Sequence, residues 1–135
     1  MTRERLPPDN PFEWLNRAKS NLNLAKHIIP DTDLEDMCFF AQQAAEKAIK
    51  AVFLSKKLNF PYIHDISQLL ELLGRSGEII PPEIQNASSL SLYAVETRYP
   101  GFYVSVSTDQ YKEAILLAEG VIRWAEMICK ESEMR

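Results

Sequence analysis

Two histidines, His27 and His64, and two cysteines, Cys38 and Cys129, are all the imidazole and thiol chemistry this chain carries. No CxxC or HExxH spacing occurs, which excludes a structural zinc site and a zincin-type metalloprotease. Both cysteines sit in apolar runs of helical periodicity with no further cysteine to pair with. A disulfide framework is therefore not expected, and a reducing, cytoplasmic setting is. Glycine is scarce too, with four in the chain, and no P-loop, dinucleotide-binding glycine fingerprint or nucleophile elbow is present. No apolar run approaches the roughly 20 residues that cross a bilayer. The leading MTRERLPPDN lacks the apolar centre of a signal peptide. The expectation is a soluble cytoplasmic protein with no membrane contact, no metal and no cofactor. A net charge of −4 disfavours a globally basic nucleic-acid binder and leaves room for a local basic patch.

What is present is helix. The 135 residues suit one domain, residues 1–135, and 46% hydrophobic residues are enough to bury a core. Asn10-Pro11-Phe12-Glu13 reads as a cap, a first-turn proline and a capping box, followed by the apolar stripe Leu15, Ala18, Leu22, Ala25. Thr32-Asp33-Leu34-Glu35 reads as a second box, opening a helix of about 25 residues that ends at Lys56 or Lys57. Its stripe of Met37, Ala41, Ala44, Ala45, Ala48 and Val52 permits close helix approach, so it is expected at the centre of a bundle. A short third helix runs from Asp65 to Leu73, with Asp65 and Gln68 as cap and box, and buries Ile66, Leu69, Leu70 and Leu73; Gly74 and Gly77 end it. A fourth spans Pro82 to about Ala94. A fifth, capped by Thr108, runs to about Lys130 and buries Ile115, Leu116, Ala118, Val121, Ile122, Ala125 and Ile128. The fold class is all-α, an antiparallel four- to five-helix bundle.

Thr97–Ser107 breaks this pattern. It is aromatic and β-branched, contains Pro-Gly, and exceeds the roughly 2–8 residues that usually join bundle helices. Loops of this kind carry function more often than core segments do. Alternatively, Phe102, Tyr103, Val104 and Val106 cover the end of the bundle or a dimer seam. Arg98 can hold a phosphate with its fork of donors and Tyr99 can stack on a base; an internal Arg98–Glu96 clamp is the competing reading. In the second helix Gln43, Glu46, Lys47 and Lys50 share a polar sector, read either as a binding surface or as a solvated face held by a weak Glu46–Lys50 pair. His64, just before a helix start, is a candidate general base or phosphate contact, or else orders the helix start by bonding loop carbonyls. His27, at a helix C-terminus, is read as structural.

The run Cys38-Phe39-Phe40-Ala41-Gln42-Gln43-Ala44-Ala45-Glu46-Lys47-Ala48-Ile49-Lys50-Ala51, then His64-Asp65-Ile66, then Thr97-Arg98-Tyr99-Pro100, resembles the HEPN domain family over almost the whole chain. That resemblance implies a bundle resembling the substrate-binding subunit of nucleotidyltransferases. It also implies a homodimer and a minimal nucleotidyltransferase as partner in a toxin–antitoxin-like pair. Many such proteins are metal-independent endoribonucleases, in which an Arg is followed after four to six residues by a His. The His works as acid and base on the 2′-OH, and the Arg stabilises phosphorane charge. Here Arg98 is followed by Tyr-Pro-Gly-Phe-Tyr-Val-Ser, with no His, and Arg17, Arg75 and Arg123 have none at that spacing. The expected function is thus a non-catalytic module binding nucleotide or RNA phosphate through His64, Arg98, Tyr99, Lys47 and Lys50. The alternatives are a divergent endoribonuclease toxin, with His64 as the substitute histidine, and a purely structural interaction subunit.

Overall fold

Capping residues decide where the helices begin. In the computed structural model, which describes residues 3–94 and 105–135, Asn10 Oδ1 accepts the Phe12 amide at 2.9 Å and opens α1 (Pro11–Lys26). Glu13 does not close the expected box. Its carboxylate accepts from Arg3 and from the Leu6 amide, because the N-terminal arm folds back along α1. α2 spans Leu34–Ser55 with Asp33, not Thr32, at the cap position. The Thr32 hydroxyl donates to the Ile29 carbonyl and Glu35 accepts the Val106 amide, so both residues of that predicted box are used elsewhere.

α3 (Ile66–Arg75) is capped by Asp65, which accepts the amide and the hydroxyl of Ser67 at 2.9 and 2.8 Å. The four residues predicted for its buried face are all buried. The next helix has the predicted extent but two geometries: α4 (Pro82–Gln85) continues as a 3-10 helix over Asn86–Ala94. There the Ser89 hydroxyl competes with the i→i−4 ladder by bonding back to the Asn86 carbonyl, and the Ser91 hydroxyl accepts the Ile66 amide at 2.8 Å. α5 (Thr108–Glu133) has its cap one residue earlier than predicted. Ser107 and Gln110 form a complete capping box.

The cross-links between helices give their directions. Lys19 pairs with Glu126 and Lys26 with Glu119, each at 2.8 Å, so α1 and α5 run antiparallel. Glu35 meets Val106 near the start of α5 and Ala51 meets Cys129 near its end, so α2 and α5 run the same way. α2 packs against α1, α5, α3 and the 3-10 helix, which makes it the central helix. Ala41, Ala44, Ala45, Ala48 and Ala51 are fully buried and let those neighbours approach closely. On α5 one predicted core residue is misplaced: Leu116 is 67% exposed, while Tyr111, Trp124 and Cys129 are buried. Two residues is about 200° around a helix, so Leu116 lies across the axis from Ala114 and Ala118. Cys38 and Cys129 are free and buried, and burial pushes each thiol up to about 11. Among the described residues no helix is long and apolar enough to cross a membrane.

α2 and α3 end in the same motif. The Leu58 amide donates to the Phe53 carbonyl and that of Lys57 to Leu54; the Glu78 amide donates to Leu73 and that of Gly77 to Gly74. The motif requires positive φ at its pivot, which is +106° at Gly77 and 61° at Lys57. Only one of the two pivots is a glycine. Lys57→Gly is therefore expected to raise stability by up to about 1 kcal/mol, and Gly77→Ala to lower it by about the same. Urea denaturation of the two variants checks this.

Candidate functional site: a buried acid–lysine pair beneath a surface histidine

A helix packed on every side has to satisfy its polar residues internally. Glu46 and Lys50 lie one turn apart on α2 and are 3% and 5% exposed. Lys50 Nζ donates to Glu46 Oε2 at 2.9 Å and lies 5.3 Å from the centre of the Phe60 ring. The fully buried Gln42 donates to Glu46 Oε1 at 2.9 Å and to the His64 carbonyl at 3.3 Å, and Gln43 donates to Gln42 Oε1. The sector Gln43, Glu46, Lys50 is therefore not the solvated face that its spacing allowed. It is an internal network, and among the described residues no buried side-chain nitrogen or oxygen lacks a partner.

His64 completes the network from outside. Its Nδ1 lies 3.2 Å from both oxygens of Glu46, while the side chain is 68% exposed. A nitrogen facing a carboxylate carries a proton, so Nδ1–H donates inward, and Nε2 has no partner among the described residues. His64 thus does not order the α3 start by bonding loop carbonyls through its ring; Asp65 and Ser91 do that work. Burial pushes the Glu46 carboxyl up, but hydrogen bonds from Lys50 and Gln42, the Lys50 charge and His64 together outweigh burial and hold it below its ordinary value.

The remaining candidates are dispersed. Lys47, half-buried, donates to Asn21 of α1, away from Glu46. His27 is exposed and its Nδ1 lies 2.7 Å from the Asn23 carbonyl, an end-of-helix role. Arg98 and Tyr99 lie outside the described residues, as do Glu96 and most of the aromatic loop. Among the described residues no group of three His, Cys, Asp or Glu side chains could hold a metal ion. Sequence reasoning weighed Glu46 only as a helix-face partner of Lys50, and its contact with His64 crosses 18 positions. The available signal was the alanine-rich stripe that marks α2 as the central helix, since a helix with neighbours on several sides leaves little solvent for a carboxylate at its middle.

The architecture is a helical bundle whose central helix holds an internal ion pair and anchors a histidine from the following segment. The chain belongs to the HEPN domain family, whose domain model matches residues 12–128. In structure it is similar to TT1696 from Thermus thermophilus, with a TM-score of 0.77 and 28% identity, covering 89% of this chain and 98% of that one. It shares its fold with ST0689, an archaeal HEPN homologue, with a TM-score of 0.69 and 23% identity over 94% and 99% of the two chains. No curated protein matches the chain.

Removing one partner of a buried pair strands the other. Glu46→Ala and Lys50→Met are each expected to cost about 3–5 kcal/mol, and Glu46→Leu/Lys50→Met together to recover most of it. The Glu46 carboxyl is lowered by folding, so its contribution is complete above the unfolded value and is lost as pH falls through the folded one. Urea midpoints on the acid side should therefore fall less steeply in the double variant than in the wild type.

Proposed function

We propose that this chain is a non-catalytic HEPN module that binds nucleotide or nucleic-acid phosphate and partners a minimal nucleotidyltransferase in a toxin–antitoxin-like pair in the cytoplasm. The observation that carries the binding reading is the orientation of His64. A buried carboxylate fixes Nδ1, and the outer nitrogen is held open at the surface. On a second protonation that nitrogen becomes a donor to a phosphate oxygen. Arg98 and Tyr99 join His64 by the family pattern of the sequence, as a bidentate phosphate fork and a base-stacking ring. Lys47 supplies positive charge at the surface, and Lys50, locked onto Glu46, acts by holding the carboxylate that orients His64. A homodimer through α5 goes with this reading: Leu116 and Met127 are 67% and 52% exposed on one stripe with Gly120, which has no side chain to keep a second helix away. Titration calorimetry with ATP and with a short single-stranded RNA tests the binding. Heat is expected with at least one ligand, and affinity is expected to fall at least about tenfold in Arg98→Ala and in His64→Ala. No heat with either ligand overturns the reading. Co-purification with a nucleotidyltransferase in the absence of nucleotide, without any such heat, favours the purely structural alternative.

One observation favours a second reading. Glu46 and His64 form an acid–imidazole pair, the arrangement that orients a general base, and Arg98 would stabilise a phosphorane in a divergent endoribonuclease. It predicts metal-independent cleavage of single-stranded RNA, abolished in His64→Ala and in Arg98→Ala. RNA that stays intact after long incubation with the wild-type protein in chelator removes it.

A further inference from the structure

A second concentration of charge is built around Lys47 by the N-terminal arm. Arg3 clamps Glu13 through both guanidinium nitrogens at 2.7 and 2.8 Å, and the Leu6 amide donates to the same carboxylate at 3.0 Å. The Trp14 indole N–H donates to the Pro8 carbonyl at 2.7 Å. These bonds hold the arm against α1 as one wall of a cleft of about 360 Å³, lined by Arg5, Leu6, Pro8, Glu13, Trp14, Arg17 and Lys47.

The charges in this cleft do not cancel. Its one carboxylate, Glu13, is already engaged by Arg3, and Arg5 stands 3.7 Å from it. Arg17 has no ion-pair partner among the described residues. Lys47 donates only to the neutral amide of Asn21. The protein as a whole carries −4, so this local excess of cations is not a consequence of composition. Burial lowers the affinity of Lys47 for its proton, and the neighbouring Arg17 charge lowers it further. Glu46 offsets part of this, but no carboxylate is bonded to Arg17 or Lys47 among the described residues, an arrangement that a dianionic group relieves.

The lining also has an apolar part. Leu6 and Pro8 of the arm and Trp14 of α1 supply it, and Trp14 is held by an edge contact with Phe60, ring centroids 4.9 Å apart. The volume is at the small end of ligand clefts, about 300–1,000 Å³, which suits a single nucleotide and not a chain of them. We propose that this cleft binds a phosphate monoester of nucleotide size, with the phosphate between Arg17 and Lys47 and the base against Leu6, Pro8 and Trp14. The proposal deepens the phosphate-binding reading above and rests on it for ligand class, sharing only Lys47 with the residues named there. The ligand chemistry has two sources, a free nucleotide and the 5′-phosphorylated end of an RNA.

Calorimetry on the full chain with AMP, adenosine and inorganic phosphate tests it. AMP is expected to bind at least about tenfold more tightly than either fragment, with Arg17→Gln and Lys47→Gln each losing about tenfold and Arg98→Ala changing little. Arg17 is exposed, so its replacement should leave the melting temperature unchanged and separate binding from folding. Displacement of AMP by a 5′-phosphorylated tetranucleotide, but not by its 5′-hydroxyl form, assigns the site to RNA ends; no displacement assigns it to free nucleotide. AMP binding that survives Arg17→Gln and is lost in Arg98→Ala overturns the cleft and leaves the reading above standing. AMP binding lost in Arg17→Gln, with no heat from ATP or RNA, upholds the cleft and overturns that reading. No binding of AMP overturns the cleft in either case.

Discussion

The buried Glu46–Lys50 pair is the constraint around which the bundle is arranged. Taking two ions out of water costs several kcal/mol each, and the interior returns that cost only when geometry and further hydrogen bonds are good. Here the carboxylate receives Lys50, Gln42 and His64, and the ammonium also lies over Phe60. Two of those partners, Phe60 and His64, come from the segment that leads from α2 to α3. The ion pair therefore does more than satisfy itself. It fixes where that segment crosses α2, and so where Asp65 can cap α3 and where Ser91 of the 3-10 helix can receive the Ile66 amide. A purely apolar α2 would bury as well, but nothing in it would specify the register of the segment that crosses it.

The same constraint explains what was legible in the sequence. Periodicity and caps report on local physics, and among the described residues they placed each helix to within a few residues: Asn10, Asp65 and the buried faces of α1 and α3 all lie where the spacing puts them. Several errors arose where a side chain had another partner to bond. Glu13, a plausible box residue, is drawn to Arg3; Glu35 is drawn to Val106; Thr32 bonds back to Ile29. The network was half legible for the same reason. His64 and Lys50 were recognisable as chemical residues, and the i, i+4 relation of Glu46 to Lys50 is helix geometry. That a loop histidine meets that glutamate is tertiary information, and so is the burial that turns a weak surface pair into an internal one. The Arg17 cleft was hidden because one of its walls is the arm, whose course depends on Glu13 bonding Arg3 and Leu6 rather than closing a cap.

The missing histidine after Arg98 takes on a different meaning beside this geometry. In an Arg-then-His pattern the imidazole and guanidinium come from one short stretch of chain, so a single loop sets their spacing. Here the imidazole is positioned from another part of the molecule, by a carboxylate on the central helix. An imidazole held through Nδ1 presents one nitrogen in a fixed direction, which serves binding as well as proton transfer. The folded structure therefore keeps an oriented histidine although the sequence pattern that usually signals one is absent.

The two polar regions also meet at one aromatic ring. Trp14, a wall of the basic cleft, packs its edge against Phe60, and Phe60 in turn carries Lys50 over its face. The arm that completes the cleft is itself robust. The hydrogen bonds from Arg3 and Leu6 hold the Glu13 carboxyl down to about 2, so it stays ionised and clamped until the medium is strongly acidic. The cleft thus has a fixed arm on one side and, on the other, an aromatic residue in contact with the ring that carries Lys50.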